Sequence, residues 1–266
     1  MAINFDRLIG HIERIAPPSM AEEWDNNGVQ LRLADGDVRR ALVALEITDA
    51  VIDEAEMMNA DMLVTHHPLI FRKLKSVSCR DLTGRHVIRL VKAGVSVYAA
   101  HTSFDAVYGG NNDYLAELLG LQKIRRAQPR KESPDTPILG RIGDLKSETP
   151  FAEVCELVRR RLGVGRAMPV VGDAGAPIRK VALCTGGGGD LIEDALRNGC
   201  SLFITSDVRH HEALFARENG LCVIDAGHYH TEALFVPNFA GKLKAAVGDL
   251  LEVYESARGE APFRLG

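Results

Sequence analysis

The histidines are the residues whose grouping in this chain could do chemistry. His66 and His67 are adjacent, as are His210 and His211, and His228 and His230 are nearly so; His101 closes an apolar run. Two of them are followed four residues later by an acid: His101 by Asp105 and His228 by Glu232. His11 and His86 read as surface positions on helices. Any one histidine at a strand end is more often a hydrogen-bonded structural residue than a ligand. Three His-bearing strand ends, two with an acid at the same offset, weigh towards metal binding. Imidazole and carboxylate donors without cysteine suit Zn, Fe, Mn or Ni rather than a structural thiolate site.

Spacing constrains what these groups can share. If the chain enters a helix after His228, a separation of four places His228 and Glu232 on one face. The same holds less firmly for His101 and Asp105, because "HTSFDAVYGG" also reads as loop. His66 and His67 would point to opposite faces of a regular strand. They can share a site if the strand has already ended there, and Pro68 biases His67 towards an extended or turn geometry. Two ions relax the demand, since each histidine could serve a different one and a carboxylate such as Asp105 could bridge them.

The elements that must position these residues alternate. Phe5, Leu8, Ile9, Ile12 and Ile15 recur at helical spacing behind Asn4 as N-cap, and Pro17-Pro18 ends that helix. Then "RALVALEI", "DMLVTHH" and "VSVYAAH" read as strands, separated by the helices "TDAVIDEAEMMNA" and "RHVIRLVKAG". Residues 124–137, charged and proline-rich, read as a linker. After it come the strand "ILGRIGDL", a helix "TPFAEVCELVRRRLG" with Thr149 as cap and Pro150 at its first position, and the strands "AMPVVGD", "IRKVALCT", "CSLFITSD" and "LCVIDAG". "TEALFVPNFAGKLKAAVGDLL" reads as one long closing helix. The alternation predicts an α/β fold with helices covering largely parallel sheets. Two stretches, each strand-helix-strand-helix-strand and each ending in His-x-x-x-acid, read as two similar α/β halves; chance likeness between generic βαβ patterns is the competing reading.

Composition excludes several classes. The chain has 266 residues, 46% apolar and 26% charged, with a formal net charge of -4. That gives no electrostatic reason to expect nucleic acid, and there is no polybasic run suited to a membrane surface. No segment approaches the ~20 apolar residues of a membrane span, and the opening residues do not read as a signal peptide. Five scattered cysteines, never in CxxC, read as reduced core thiols of a cytoplasmic protein.

Three further signals leave alternatives open. "CTGGGGDLIEDAL" follows a strand and opens a helix: it is either a tight βα turn or an anion contact, and it lacks the Lys-Ser/Thr of a P-loop. "SDVRHHEA" puts His210 and His211 at a helix start, as a surface pair or with His211 orienting a ligand. "WDNNG" is a glycine turn with a buried Trp24, or else Asp25 supplies a carboxylate that orients a ligand imidazole.

Taken in order, "EEWDNNGVQ", "THHPLIF", "AAHTSFDAVYGGNND" and "DAGHYHTE" resemble the Nif-three-like dinuclear metal centre family, whose members are known as homologues of GTP cyclohydrolase I type 2. The resemblance spans nearly the whole chain. It implies two divalent metal ions held by His66, His67, Asp105, His228 and Glu232, with His101 beside them either supporting the ligands or moving a proton. It also implies a toroidal homohexamer, and a second domain inserted in the first, with approximate bounds: 1–125 plus 229–266 as the metal-binding domain and 126–228 as the other. The function implied is metal-dependent hydrolysis of a nucleotide-like or phosphate-bearing small molecule. The alternative is a non-enzymatic metal-binding ring acting in buffering, delivery or regulation. A dinucleotide-binding protein using "TGGGGD" is a third reading.

Overall fold

The computed structural model describes residues 1–33, 36–127, 139–165 and 168–263. The chain forms two compact units, one built from Met1–Gly110 and Phe235–Glu260, the other on Asn111–Leu234. Both are mixed α/β, with a central sheet flanked by helices.

In the first unit Arg40–Ala44, Met62–Thr65 and Ser96–Ala99 lie side by side and parallel. Glu252–Glu255 adds in parallel at one edge, and Gly28–Leu31 in antiparallel fashion at the other. Because successive residues of a strand face opposite ways, one strand feeds two cores. Ala41 and Val43 pack with Met62, Val64, Phe5, Leu8, Phe235 and Phe239. Leu42 and Ala44 pack with Leu63, Val97, Ile52 and Leu90. The helices Phe5–Ile15 and Phe235–Val247 therefore cover one face, and Asp49–Met58 and Leu82–Ala93 the other. Local signals set their ends. Asn4 Oδ1 accepts from the backbone N–H of Asp6 at 3.1 Å, Thr48 Oγ1 from that of Val51 at 3.2 Å, and Asp81 Oδ1 from that of Gly84 at 2.7 Å.

In the second unit six strands run in the order Gln122–Arg126, Arg141–Pro150, Pro177–Gly187, Leu202–Ser206, Cys222–Asp225, Val170–Val171. Pro177–Gly187, Leu202–Ser206 and Cys222–Asp225 are parallel and the remaining pairings antiparallel. The expectation of a largely parallel sheet thus describes the first unit and not the second. Val181, Leu183 and Ile204 meet the helix Phe151–Leu162 on one face, while Ala182, Cys184 and Phe203 meet Ile192 and Ala216 on the other.

Several expectations change. The packing divides the chain at 110/111 and 234/235. Just past the first boundary, the Asp113 carboxylate takes two hydrogen bonds from the buried Arg141 guanidinium, at 2.8 and 3.1 Å, tying the helix Asn111–Leu118 to the second sheet. Residues 124–126 of the expected linker belong to a strand of that sheet, and the rest of it, from residue 128, lies outside the described residues. Thr149 and Pro150 end a strand, and the helix Phe151–Leu162 has no side-chain cap bond. The closing helix is two pieces, His228–Glu232 and Phe235–Val247. Pro237 has no N–H to give to the Ala233 carbonyl and its ring crowds that carbonyl, so a continuous helix is disfavoured there. Cys79 is exposed rather than core, and His86 is buried rather than surface. No helix among the described residues is long and apolar enough to cross a membrane.

Candidate metal centre

Each unit carries its own cluster of candidate donors. In the first, the strand Met62–Thr65 ends before the histidine pair. The backbone N–H groups of His66 and His67 both point to the Leu45 carbonyl, at 3.1 and 2.9 Å. With the pleat broken, the two rings no longer alternate; they stack at 5.3 Å between centroids and 28° between planes. Those of His66 and Phe235 stack at 5.1 Å.

His66 is fully buried, and its Nδ1 lies 3.1 Å from the Ala100 carbonyl oxygen. A carbonyl only accepts, so Nδ1 carries the proton and the lone pair of a neutral ring sits on Nε2. That Nε2 is 3.5 Å from Asp105 Oδ2 on the short helix Thr102–Ala106. Both atoms carry lone pairs of the kind that ligate metals. The donor set of nitrogen and carboxylate oxygen fits a divalent ion. Ring nitrogens of His66, His67 and His101 all lie within 4.8 Å of one another.

The "WDNN" stretch positions His101. Asp25 has no exposed side-chain surface; its Oδ1 is 2.8 Å from His101 Nδ1. Its Oδ2 accepts from the Thr102 backbone N–H at 3.1 Å and the Thr102 hydroxyl at 2.6 Å. Burial pushes the Asp25 carboxyl up, but the bonds from His101 and Thr102 outweigh it and hold it below the usual range. Asn27 Oδ1 accepts from the His101 backbone N–H at 3.1 Å and the Ser103 hydroxyl at 2.6 Å. Asp25 thus orients the imidazole of His101, and Trp24 is exposed rather than buried. Glu46, which the sequence reading passed over, lies 3.6 Å from His67 Nδ1. It is an acid just past a strand end, the same signal as the histidines themselves.

In the second unit the four-residue spacing works as a helical face: His228 Nε2 is 2.9 Å from Glu232 Oε2. His228 Nδ1 lies 2.5 Å from Asp207 Oδ2, a partner not foreseen although it follows the strand Leu202–Ser206 directly. The Glu232 hydrogen bond, with help from Asp207, raises the His228 pKa to about 9 against the opposing effect of burial. Two glycines shape this cluster. Gly227 takes a φ of 81° as the chain turns into the helix. Gly186 has a φ of 69°, and a Cβ there would sit 2.1 Å from Glu232 Oε1 and 3.6 Å from His228 Cε1.

That packing decides between the readings of the glycine run. A Cβ on Gly189 would lie 2.2 Å from Glu212 Oε2, and on Gly187 3.5 Å from Asp207 Oδ2. Carboxylates crowd the loop, so the glycines serve close approach in a tight turn and the surroundings oppose an anion. His210 and His211 are exposed at the start of the helix His210–Glu218. Glu212 reaches back to accept from the Arg209 backbone N–H at 2.8 Å. His230 is half-buried, with its ring 5.5 Å from that of Tyr229.

Comparison with known proteins matches residues 3–262 to the model of the Duf34/NIF3 (NGG1p interacting factor 3) family. A Clostridium perfringens protein named GTP cyclohydrolase 1 type 2 homolog is 34% identical over 263 residues, covering 98% of this chain and 99% of that one. A Schizosaccharomyces pombe protein named NIF3 homolog is 31% identical over 231 residues, 83% of this chain and 82% of that one. A crystal structure of a Bacillus cereus protein related to NIF3 superposes with a TM-score of 0.92 at 24% identity, covering 100% of this chain and 99% of that one, a likeness of fold.

Proposed function

Because the chain belongs to the Duf34/NIF3 family, we propose that it binds two divalent metal ions through His66, His67, Asp105, His228 and Glu232, and hydrolyses a nucleotide-like or phosphate-bearing small molecule in the cytoplasm. The observation that carries this reading is His66. Its Nδ1 is committed to the Ala100 carbonyl, which orients Nε2 towards the Asp105 carboxylate 3.5 Å away, and imidazole nitrogen with carboxylate oxygen is a donor set suited to a divalent cation. When bound, such ions supply Lewis-acid activation of water and charge neutralisation at the reacting oxygens.

The protein's own groups then have separate tasks. Asp25 anchors His101 through Nδ1, so the ring presents Nε2 as the atom that takes or gives a proton at the substrate. Ala100 fixes the tautomer and ring plane of His66 in the same way. Gly186 keeps the backbone clear of Glu232. A ring of six copies is part of the proposal and rests on the family resemblance.

The test is elemental analysis of the purified protein, followed by a metal-supplemented screen of phosphorylated substrates. Two equivalents of metal per chain and metal-dependent turnover are expected. Glu232→Gln should lose metal and turnover together; full metal occupancy in that variant overturns the ligand assignment. Metal without turnover on any substrate would favour a buffering or delivery role.

A further inference from the structure

Backbone strain that persists at a residue with a free choice of side chain points to a use for that side chain. Three non-glycine residues among those described take a positive φ: Asn59 at 50°, Lys123 at 54° and Asp207 at 54°. Asn59 caps the helix Asp49–Met58, where such a turn is ordinary. Lys123 falls where the pairing of its strand with Arg141–Pro150 shifts register, between Gln122 and Arg125. Asp207 does neither. It follows the end of the strand Leu202–Ser206, and the N-cap of the next helix, His210–Glu218, is Arg209. Left-handed backbone costs free energy for any residue with a Cβ, and glycine would hold the same turn without that cost.

What an aspartate adds there is its carboxylate. Oδ2 lies 2.5 Å from His228 Nδ1, while Nε2 of the same ring faces Glu232 Oε2 at 2.9 Å. The backbone on the two sides of this contact is tied together. Asp225 accepts from the Val208 N–H at 3.0 Å with one oxygen and from the Gly227 N–H at 3.1 Å with the other. Val208 directly follows Asp207, and Gly227 directly precedes His228. The contact itself adds little to stability, because the Asp207 side chain is 59% exposed and that of His228 39%. It does not offset the strain of the turn.

We propose that Asp207 is a positioning residue for the metal centre: its carboxylate accepts from His228 Nδ1–H and fixes the ring and its tautomer, so that Nε2 is presented beside Glu232 as a metal donor. This deepens the proposed metal centre and rests on the reading of His228 and Glu232 as ligands. A carboxylate acceptor also makes the imidazole a stronger donor. The strained turn thus serves metal affinity at the expense of stability, and the two properties oppose each other at this one position.

The test measures both on the full chain: Zn2+ affinity by competition with a chromophoric chelator, and thermal unfolding of the metal-free protein. Asp207→Gly should unfold at or above the wild-type temperature, because relief of the strain outweighs the added freedom of glycine in the unfolded chain. It should bind Zn2+ about ten-fold or more weakly. Asp207→Asn keeps an acceptor oxygen and a side chain suited to the turn but lacks the charge, so its affinity should fall between that of Asp207→Gly and wild type. Lys123→Gly, which relieves the same backbone conformation elsewhere, should leave Zn2+ affinity unchanged.

Wild-type Zn2+ affinity in Asp207→Gly overturns the proposal. So does a loss of affinity that comes with a lower unfolding temperature, which would make Asp207 a structural residue of its turn, or an equal loss in Lys123→Gly. His228→Ala separates this role from the ligand assignment. If His228→Ala binds Zn2+ as wild type does, the assignment fails and the role with it. If His228→Ala loses Zn2+ while Asp207→Gly does not, only the positioning role fails.

Discussion

Asp25 and His101, 76 residues apart in sequence, meet at 2.8 Å with the carboxylate side chain wholly covered. The same carboxylate holds the first residue of the helix that bears Asp105 through two bonds from Thr102. Asp25→Ala removes the acceptor for His101 Nδ1, the Thr102 N–H and the Thr102 hydroxyl at once. Leaving such donors without acceptors should cost about 3 kcal/mol in urea unfolding. Asp25→Asn, which keeps the shape, should restore most of the stability but leave activity ~10–100-fold down with metal content retained. Wild-type turnover in Asp25→Asn would remove the positioning role.

Gly186 stands against Glu232 at a φ of 69°, where an added Cβ would fall 2.1 Å from the carboxylate. Gly186→Ala is therefore expected to strain the backbone by about 1–2 kcal/mol and to push Glu232 away from His228. Metal affinity, read by competition with a chromophoric chelator, should fall by about ten-fold or more. Unchanged affinity would show that Glu232 has room to adjust.

His86 is buried, with Nε2 3.3 Å from Asp49 Oδ1. Burial lowers its pKa, with Arg85 and Arg89 helping and Asp49 opposing. The folded state thus resists the proton that the unfolded state accepts at the ordinary histidine value of 6.5. The stability this contributes is complete above that value and is lost as pH falls through the lower folded pKa. Chemical denaturation across the acid side of ~6.5 should show a slope that flattens in His86→Gln, by at most ~1.4 kcal/mol per pH unit. An identical slope in the variant would assign the acid sensitivity elsewhere.

The cysteines should divide sharply in alkylation. Cys79 is exposed, whereas burial pushes the Cys200 thiol up to about 11. Near pH ~8 the buried thiol is both covered and protonated. Iodoacetamide should modify Cys79 quickly and Cys200 only on unfolding, and Cys79→Ser should abolish that fast phase, as mass spectrometry of the labelled peptides would reveal.

Much of the fold was legible because it is written by near neighbours. Asn4 capping the first helix, the apolar spacing of Phe5, Leu8 and Ile12, and the face shared by His228 and Glu232 all depend on residues within a turn of one another. The histidines at strand ends were legible for the same reason, since an apolar run announces its own end. The "WDNN" segment offered a carboxylate, but two readings of it remained, because nothing local says which imidazole 76 residues away Asp25 will meet.

What only the tertiary structure decided are the meetings of distant segments. Strand pairing drew residues 124–126 out of an apparent linker and set the unit boundary at Gly110, through the contact of Asp113 with Arg141. It brought Asp207 to His228 and Glu46 to His67, buried His86, and left Trp24 in the open beside His101. Sequence by itself determined which side chains could donate to a metal and which local elements would carry them. Which donors share one space followed from the order of strands in a sheet, a choice made by burial and hydrogen bonding over long separations, for which no short run of residues carries the information.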